Sequence, residues 1–207
     1  MTVTQDTPRA LDTRGNVRGR NTRARLLDAA LTSFAARGFH GTSTRDLAEA
    51  MGMSPNAVYT HFRTKEELLF QLSLGGHTDI HRIVCDTTAR FEAPMDQLRE
   101  VVREFAIWHA RYHVHARVLQ YEIGALEPKH AEQIAGLRRD IERTINTIVT
   151  AGQLSGAFQV LDSAMTARAI LSLGIDIARW YHEDGTWTPE RVGDHYSRLC
   201  LRMVGHH

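Results

Sequence analysis

Cysteine is nearly absent from this chain of 207 residues, and the two that occur, Cys85 and Cys200, each stand in a stretch of helical apolar spacing. Two such residues cannot make a disulfide framework, and as small apolar side chains they suit a reducing compartment. Proline is scarce at five residues, and runs of alternating β-branched residues are rarer still, which argues against a β-rich fold. No apolar run is long enough to span a bilayer. The first twenty residues are polar and arginine-bearing, so neither a secretion signal nor a membrane contact is expected, and the chain is expected in the cytoplasm. Enzyme signatures are missing as well. There is no GxSxG elbow, no phosphate loop and no paired CxxC, which leaves catalysis without a carrier and calls for no cofactor.

What is there is helical. With 43% hydrophobic residues the chain can bury a sizeable core. Its apolar residues recur at three- and four-residue steps between breaks at glycine or proline, which predicts an all-α fold of about nine helices. The net charge of +1 conceals an asymmetry: residues 1–66 carry ten Lys and Arg against six Asp and Glu, and the remainder carries fifteen against eighteen. A basic N-terminal third suits a polyanion, and the acidic remainder implies a different task.

From Thr22, the residues Leu26, Leu27, Ala30, Leu31 and Phe34 share one face, and the pattern stops at Gly38, which predicts a first helix. Thr44 then offers a hydroxyl to open a second helix, with Asp46 in its first turn and Leu47, Ala48 and Met51 inward. Gly52 makes a tight turn, Ser54 caps, and Pro55 begins a third helix of about two turns ending at Phe62. Two short helices about a glycine turn form a helix-turn-helix, whose second helix can enter the major groove. Val58 and Phe62 anchor that helix and leave Asn56, Ala57, Tyr59, Thr60 and His61 outward. Small and polar residues at its start permit approach to base edges, while Tyr59 and His61 can reach phosphates. Thr64 and Glu67 have the spacing of a capping box for a fourth helix, and Lys65 in its first turn is placed for a further phosphate. On this reading residues 1–20 are a flexible arginine-bearing arm, 21–66 the DNA-binding unit, and 67–207 a second unit for ligand binding and dimerisation.

The run Gly41-Thr42-Ser43-Thr44-Arg45-Asp46-Leu47-Ala48, with Met51-Gly52-Met53-Ser54 and Ala57-Val58-Tyr59-Thr60-His61-Phe62-Arg63-Thr64-Lys65-Glu66-Glu67, resembles the DNA-binding region of the TetR-type repressors from Thr22 to about Phe70. The resemblance implies phosphate clamps at Thr44, Tyr59, His61 and Lys65. It implies base-facing positions at or near Arg45, Ser54, Asn56, Ala57 and Thr60, with Pro55 at the start of the reading helix. It also implies a homodimer on palindromic double-stranded operator DNA, its reading helices roughly 34–36 Å apart, and a small hydrophobic effector that releases it.

Beyond Lys65 the spacing predicts six helices. The fourth runs through Leu68, Leu72, Ile80 and Val84, with Gly75-Gly76 as a site for a kink. A fifth opens at Pro94, a sixth lies between His113 and Leu126, and a long one follows Glu127-Pro128. Asp162 caps the eighth, and Thr188-Pro189-Glu190 starts the last. The final two are predicted to pair as a hairpin presenting Leu173, Ile177, Tyr196, Leu199 and Met203 to a second subunit. Phe105, Trp108, His109, Tyr112, Tyr121, Glu122, Ile145, Arg179 and Trp180 are the candidate lining of a small-molecule pocket. His77 and His81, like His109 and His113, are one turn apart, but no HExxH-type arrangement surrounds them and no metal is expected. The stretches Tyr121 to Pro128, Ala178 to Tyr181 and Gly185 to Glu190 resemble the C-terminal half of TetR-type members that regulate fatty-acid or steroid-ring breakdown and respond to acyl-CoA thioesters. That likeness implies an apolar channel with arginines at its mouth, for which Arg103, Arg111, Arg117, Arg138, Arg139 and Arg179 are candidates. Two alternatives stay open. A sensor of cationic, lipophilic compounds would set carboxylates such as Glu104 or Glu122 beside the aromatics, and an accessory DNA-binding protein would have no cavity.

Overall fold

Four of the five prolines and a set of hydroxyl and carboxylate side chains decide where helices begin. The computed structural model describes the backbone of residues 13–205 and the side chains of 21–205. Its helices are α1 (Thr13–Arg37), α2 (Thr44–Ala50), α3 (Pro55–Tyr59), α4 (Lys65–Ala89), α5 (Pro94–Arg111), α6 (His113–Tyr121), α7 (Pro128–Leu154), α8 (Ser163–Trp180) and α9 (Pro189–Met203), with a short 3₁₀ turn at Ile123–Ala125. Among the described residues there is no strand. Pro55, Pro94, Pro128 and Pro189 each occupy the first position of a helix, where a missing N–H costs nothing. Ser54, Thr64, Asp162 and Thr188 cap their helices by accepting from the N–H three residues on.

Several local expectations are corrected. Helix α1 begins at Thr13 rather than Thr22, so residues 13–20 of the expected arm are helical backbone. Proline is absent between Thr13 and Thr22, and Gly15 and Gly19 weaken a helix there without stopping it. Residues 1–12 lie outside the described residues. The cap of α2 is Ser43, not Thr44. Ser43 stands three residues before Asp46, and the two exchange hydrogen bonds in a full capping box. Helix α3 ends at Tyr59, and Glu67 accepts from the Arg63 N–H instead of closing its box on Thr64. Helix α4 runs unbroken through Gly75-Gly76. A Cβ on Gly76 would stand 2.4 Å from Leu119 Cδ2, so the glycine lets α6 lie close against α4.

Gly52 has φ +62 and ends the turn after α2. A side chain there meets no atom but must adopt the left-handed conformation. Gly52→Ala is therefore expected to cost about 1 kcal/mol and Gly52→Asn less, read as shifts in urea midpoint at constant slope.

One apolar cluster holds α1, α2 and α3 together through Leu26, Ala30, Phe34, Leu47, Val58 and Phe62. It continues through Leu68 and Leu69 to Val118, Leu126 and Ile134 of the bundle. The core thus crosses the expected boundary at residue 66. Polar ties accompany it. The Glu66 carboxylate accepts from the Glu127 N–H at 3.0 Å and from His130 Nδ1 at 2.8 Å, and the His130 ring stacks on Phe70. Glu122 Oε2 accepts from the Phe39 N–H at 3.2 Å. A second cluster fills the bundle around Val84, Leu98, Phe105, Ile145 and Ile148.

Helix α9 packs chiefly along α5, not against α8 as a hairpin would. Ile177 is wholly buried among Ala106, Ala110, Tyr181 and Val192, so it cannot face a second subunit. It shares its face of α8 with Ile170, Gly174 and Ala178, which bury against the chain's own core. No helix among the described residues is long and apolar enough to cross a membrane.

Candidate nucleic-acid interface and effector cavity

Helix α3 is held from below by Val58 and Phe62, both essentially inaccessible. That leaves Ser54, Pro55, Asn56, Tyr59 and Thr60 exposed, with Ala57 and His61 half-buried. Thr44, displaced from the cap to the first helical position, places its Oγ1 2.9 Å from the Tyr59 hydroxyl. This bond joins the start of α2 to the end of α3, so Arg45, Tyr59 and Asn56 belong to one polar surface. The Thr60 hydroxyl donates to the Ala57 carbonyl at 2.7 Å. Arg23 of α1 donates to the His61 carbonyl at 2.9 Å and lies 4.2 Å from the centre of the Phe62 ring.

Lys65 has a role that the sequence did not disclose. Its ammonium donates to the carbonyls of Phe39 at 2.6 Å and Thr42 at 2.7 Å and sits 4.1 Å from the centre of the Phe39 ring. It fastens the start of α4 to the turn between α1 and α2, with one N–H left over. Burial draws its pKa below the usual lysine value.

Inside the bundle an apolar cavity of about 240 Å³ lies between α4, α5, α6, α7 and α8. Its walls include Ile80, Phe105, Trp108, Leu119, Ile141 and Ile175, with the imidazoles of His77 and His109. A second, more polar compartment of about 270 Å³ adjoins it, sharing Gln120, Arg138, Ser172 and Ile175 and adding Arg117, Tyr121 and Arg179. Arg179 is paired with Asp176 and Arg168 with Glu142. Among the described residues neither Arg117 nor Arg138 has a carboxylate partner.

Two buried histidines, His77 and His109, line this cavity, and the half-buried His115 lies close by. His77 Nδ1 lies 2.8 Å from the Ser73 carbonyl, His109 Nδ1 2.8 Å from the Phe105 carbonyl, and His115 Nε2 3.2 Å from the Leu72 carbonyl. Loss of hydration pushes His77 and His109 down to about 4 and also lowers His115, so the first two rings are neutral at pH 7.

Of the candidate pocket residues, Phe105, Trp108 and His109 line the cavity, and Tyr121 and Arg179 line the adjoining compartment. The other four lie elsewhere. Tyr112 is on the outer surface and Ile145 is sealed in the core. Glu122 is spent on Phe39, and Trp180 stacks on Tyr196 beside Trp187. Among the arginines, Arg103 pairs with Asp194, Arg111 with Glu190 and Arg139 with Glu132. Of the candidate arginines, Arg138 of α7 lines the cavity, while His77, Ile141, Leu171 and Ile175 were missed. The two histidine pairs diverge: His109 faces the cavity while His113 packs edge-on to Tyr181, and His81 Nε2 lies 3.6 Å from Cys85 Sγ rather than with His77. Of the surface candidates, Leu199 and Met203 are exposed and Leu173 and Tyr196 half-buried.

Residues 26–72 match the family described as bacterial regulatory proteins, tetR family, and residues 92–204 match the tetracyclin repressor-like C-terminal domain. The HTH-type transcriptional repressor KstR2 of Mycobacterium tuberculosis is 30% identical over 188 residues, covering 86% of this chain and 90% of the repressor. A bacterial regulatory protein in the tetR family from Rhodococcus RHA1 superposes with a TM-score of 0.84 at 39% identity, over 89% of this chain and 97% of that one. AibR, solved in complex with isovaleryl coenzyme A and operator DNA, shares the fold with a TM-score of 0.78 at 21% identity, over 86% and 96% of the two chains.

Proposed function

We propose, from the premise that the chain belongs to the tetR family of bacterial regulatory proteins and is a transcriptional repressor of that type, that it is a cytoplasmic dimer whose hold on a palindromic operator is released by an acyl-CoA thioester. The observation that carries the effector reading is the pair of guanidinium groups, Arg117 and Arg138, that have no carboxylate partner among the described residues and stand beside a largely apolar cavity. A thioester of coenzyme A has an apolar acyl group for the cavity and phosphates for the arginines. AibR, a distant relative in the same fold, was solved with such a ligand, which supports the same class here.

The surface of α2 and α3 supplies the DNA contacts in this reading, with Tyr59 and Thr44 toward the backbone and Arg45, Asn56 and Ala57 toward base edges. Lys65 serves mainly to hold that surface in place. The exposed side chains Met165, Leu199 and Met203 on α8 and α9 provide apolar surface for the second subunit. Effector and operator then bind with opposite preference for two conformations, and each weakens the other.

A sensor of lipophilic cations is disfavoured because the carboxylates it needs are engaged. Glu142 is paired with Arg168, Glu104 with Arg103, and Glu122 with the Phe39 N–H. A cavity-free accessory protein is disfavoured by the cavity. Thermal melts with octanoyl-CoA and with a cationic dye separate the readings: stabilisation by octanoyl-CoA alone is expected, and stabilisation by the dye alone would reverse the assignment. Arg138→Ala is expected to weaken acyl-CoA binding about tenfold, the value of a lost charge-assisted hydrogen bond, with operator affinity of the ligand-free protein unchanged.

A further inference from the structure

The cavity's polarity is one-sided. A backbone carbonyl can only accept, so the Nδ1 atoms that face the Ser73 and Phe105 carbonyls at 2.8 Å each carry a proton. A neutral imidazole has one N–H, which leaves Nε2 of His77 and of His109 as bare acceptors. With Nδ1 turned back to its own helix, the opposite edge of each ring is directed away from that helix, and both rings form part of the cavity wall. Neither Nε2 has a partner among the described residues. The other polar wall residues are Gln120, Arg138 and Ser172, which the cavity shares with the adjoining compartment, and Glu142 and Arg168, which are paired with each other. All five belong to α6, α7 and α8, and the remaining lining side chains of α4 and α5 are apolar.

We infer that the effector carries a hydroxyl group on its buried end, which donates to Nε2 of His77 or His109. An apolar or keto end would leave both acceptors dry and unpaired, and a ketone brings an acceptor to face them. A cationic donor is disfavoured by Arg138 in the wall, which has no carboxylate partner among the described residues, and by the engagement of Glu142 with Arg168. The inference rests on the acyl-thioester reading only for the route by which the acyl end arrives; the recognition of the hydroxyl is a property of the cavity alone.

The test uses the full chain labelled with ¹⁵N. Long-range proton–nitrogen spectra of the imidazoles report which ring nitrogens are protonated, first without ligand and then with cyclohexanol or cyclohexanone. Octanoyl-CoA and 8-hydroxyoctanoyl-CoA are titrated in parallel. The expected result is unprotonated Nε2 on both rings, displacement of at least one of these resonances by cyclohexanol, and about tenfold tighter binding of the alcohol than the ketone. That preference, read as the ratio of alcohol to ketone affinity, should vanish in His109→Phe or His77→Phe. Protonated Nε2 atoms, equal binding of alcohol and ketone, or binding of neither would overturn the inference. Should cyclohexanol be preferred while neither thioester binds, the acyl-thioester reading fails and the hydroxyl inference stands. Equal binding of the two thioesters has the reverse consequence.

Discussion

Between pH 6.5 and pH 4 the protein is expected to lose on the order of 5 kcal/mol of folding stability through the imidazoles of His77 and His109 alone. In the unfolded chain each ring takes up its proton near the ordinary histidine value of about 6.5. In the folded chain burial delays this to about 4. The unfolded form therefore holds more protons throughout the interval, stability falls with pH across it, and the loss is complete below pH 4. His115, also lowered by burial, acts in the same direction. The exposed carboxylates of Asp46, Asp176 and Glu190 are held below their ordinary values by hydrogen bonds, and they add a separate loss at the acid end. Urea unfolding at half-unit steps measures the slope, and the double variant His77→Phe/His109→Phe should flatten it. A wild-type curve level from pH 6.5 to 4.5 would mean that the rings charge inside the folded bundle.

Phe62→Ala is expected to cost about 3–5 kcal/mol and to lower the melting temperature by roughly 10 °C. The ring is 1% exposed, lies at the end of the α3 turn and is covered by the Arg23 guanidinium. Its loss leaves a void under the reading helix and removes the surface on which Arg23 rests, so operator affinity should fall together with the melting temperature. Tyr59→Ala is the contrast. That side chain is 47% exposed, and its removal should change the melt little while weakening binding to every DNA sequence. Melting curves paired with DNA titrations at two salt concentrations distinguish the effects; equal loss of stability in both variants would contradict the placement of Tyr59 on the surface.

Most helix starts were legible because they depend on residues three apart. Two exceptions show the limit. The start of α1 at Thr13 was missed, since the apolar spacing that marks this helix begins only at Leu26. Thr42, Ser43 and Thr44 are three hydroxyls in a row, and only the reciprocal bond with Asp46 selects Ser43. The cluster beneath α3 followed from periodicity, since Leu26, Ala30, Phe34, Val58 and Phe62 all bury as expected. Periodicity also marked the apolar stripe of α8, yet it cannot say whether a stripe meets its own bundle or another chain, and Ile177 went to the bundle. The cavity draws its walls from five helices, so no local pattern contains it. Lys65 left one clue in the sequence. A cation in the first turn of a helix opposes the dipole, and such a residue is retained where its charge has another object, here the Phe39 and Thr42 carbonyls.

Helix α4 is also a lever. Its 25 residues make a rod about 37 Å long. His77 and Ile80 meet the cavity partway along it, and the bonds of Lys65 clamp its first residue to the reading unit. From Lys65 to His77 the arm is about 18 Å, so a 5° tilt pivoting at the cavity carries the far end through about 1.5 Å. Hydrogen bonds of 2.6 and 2.7 Å stretch by only a few tenths of an ångström before they fail. The helix-turn-helix must therefore travel with the rod as a solid piece, and small strains at the cavity become displacements of α2 and α3.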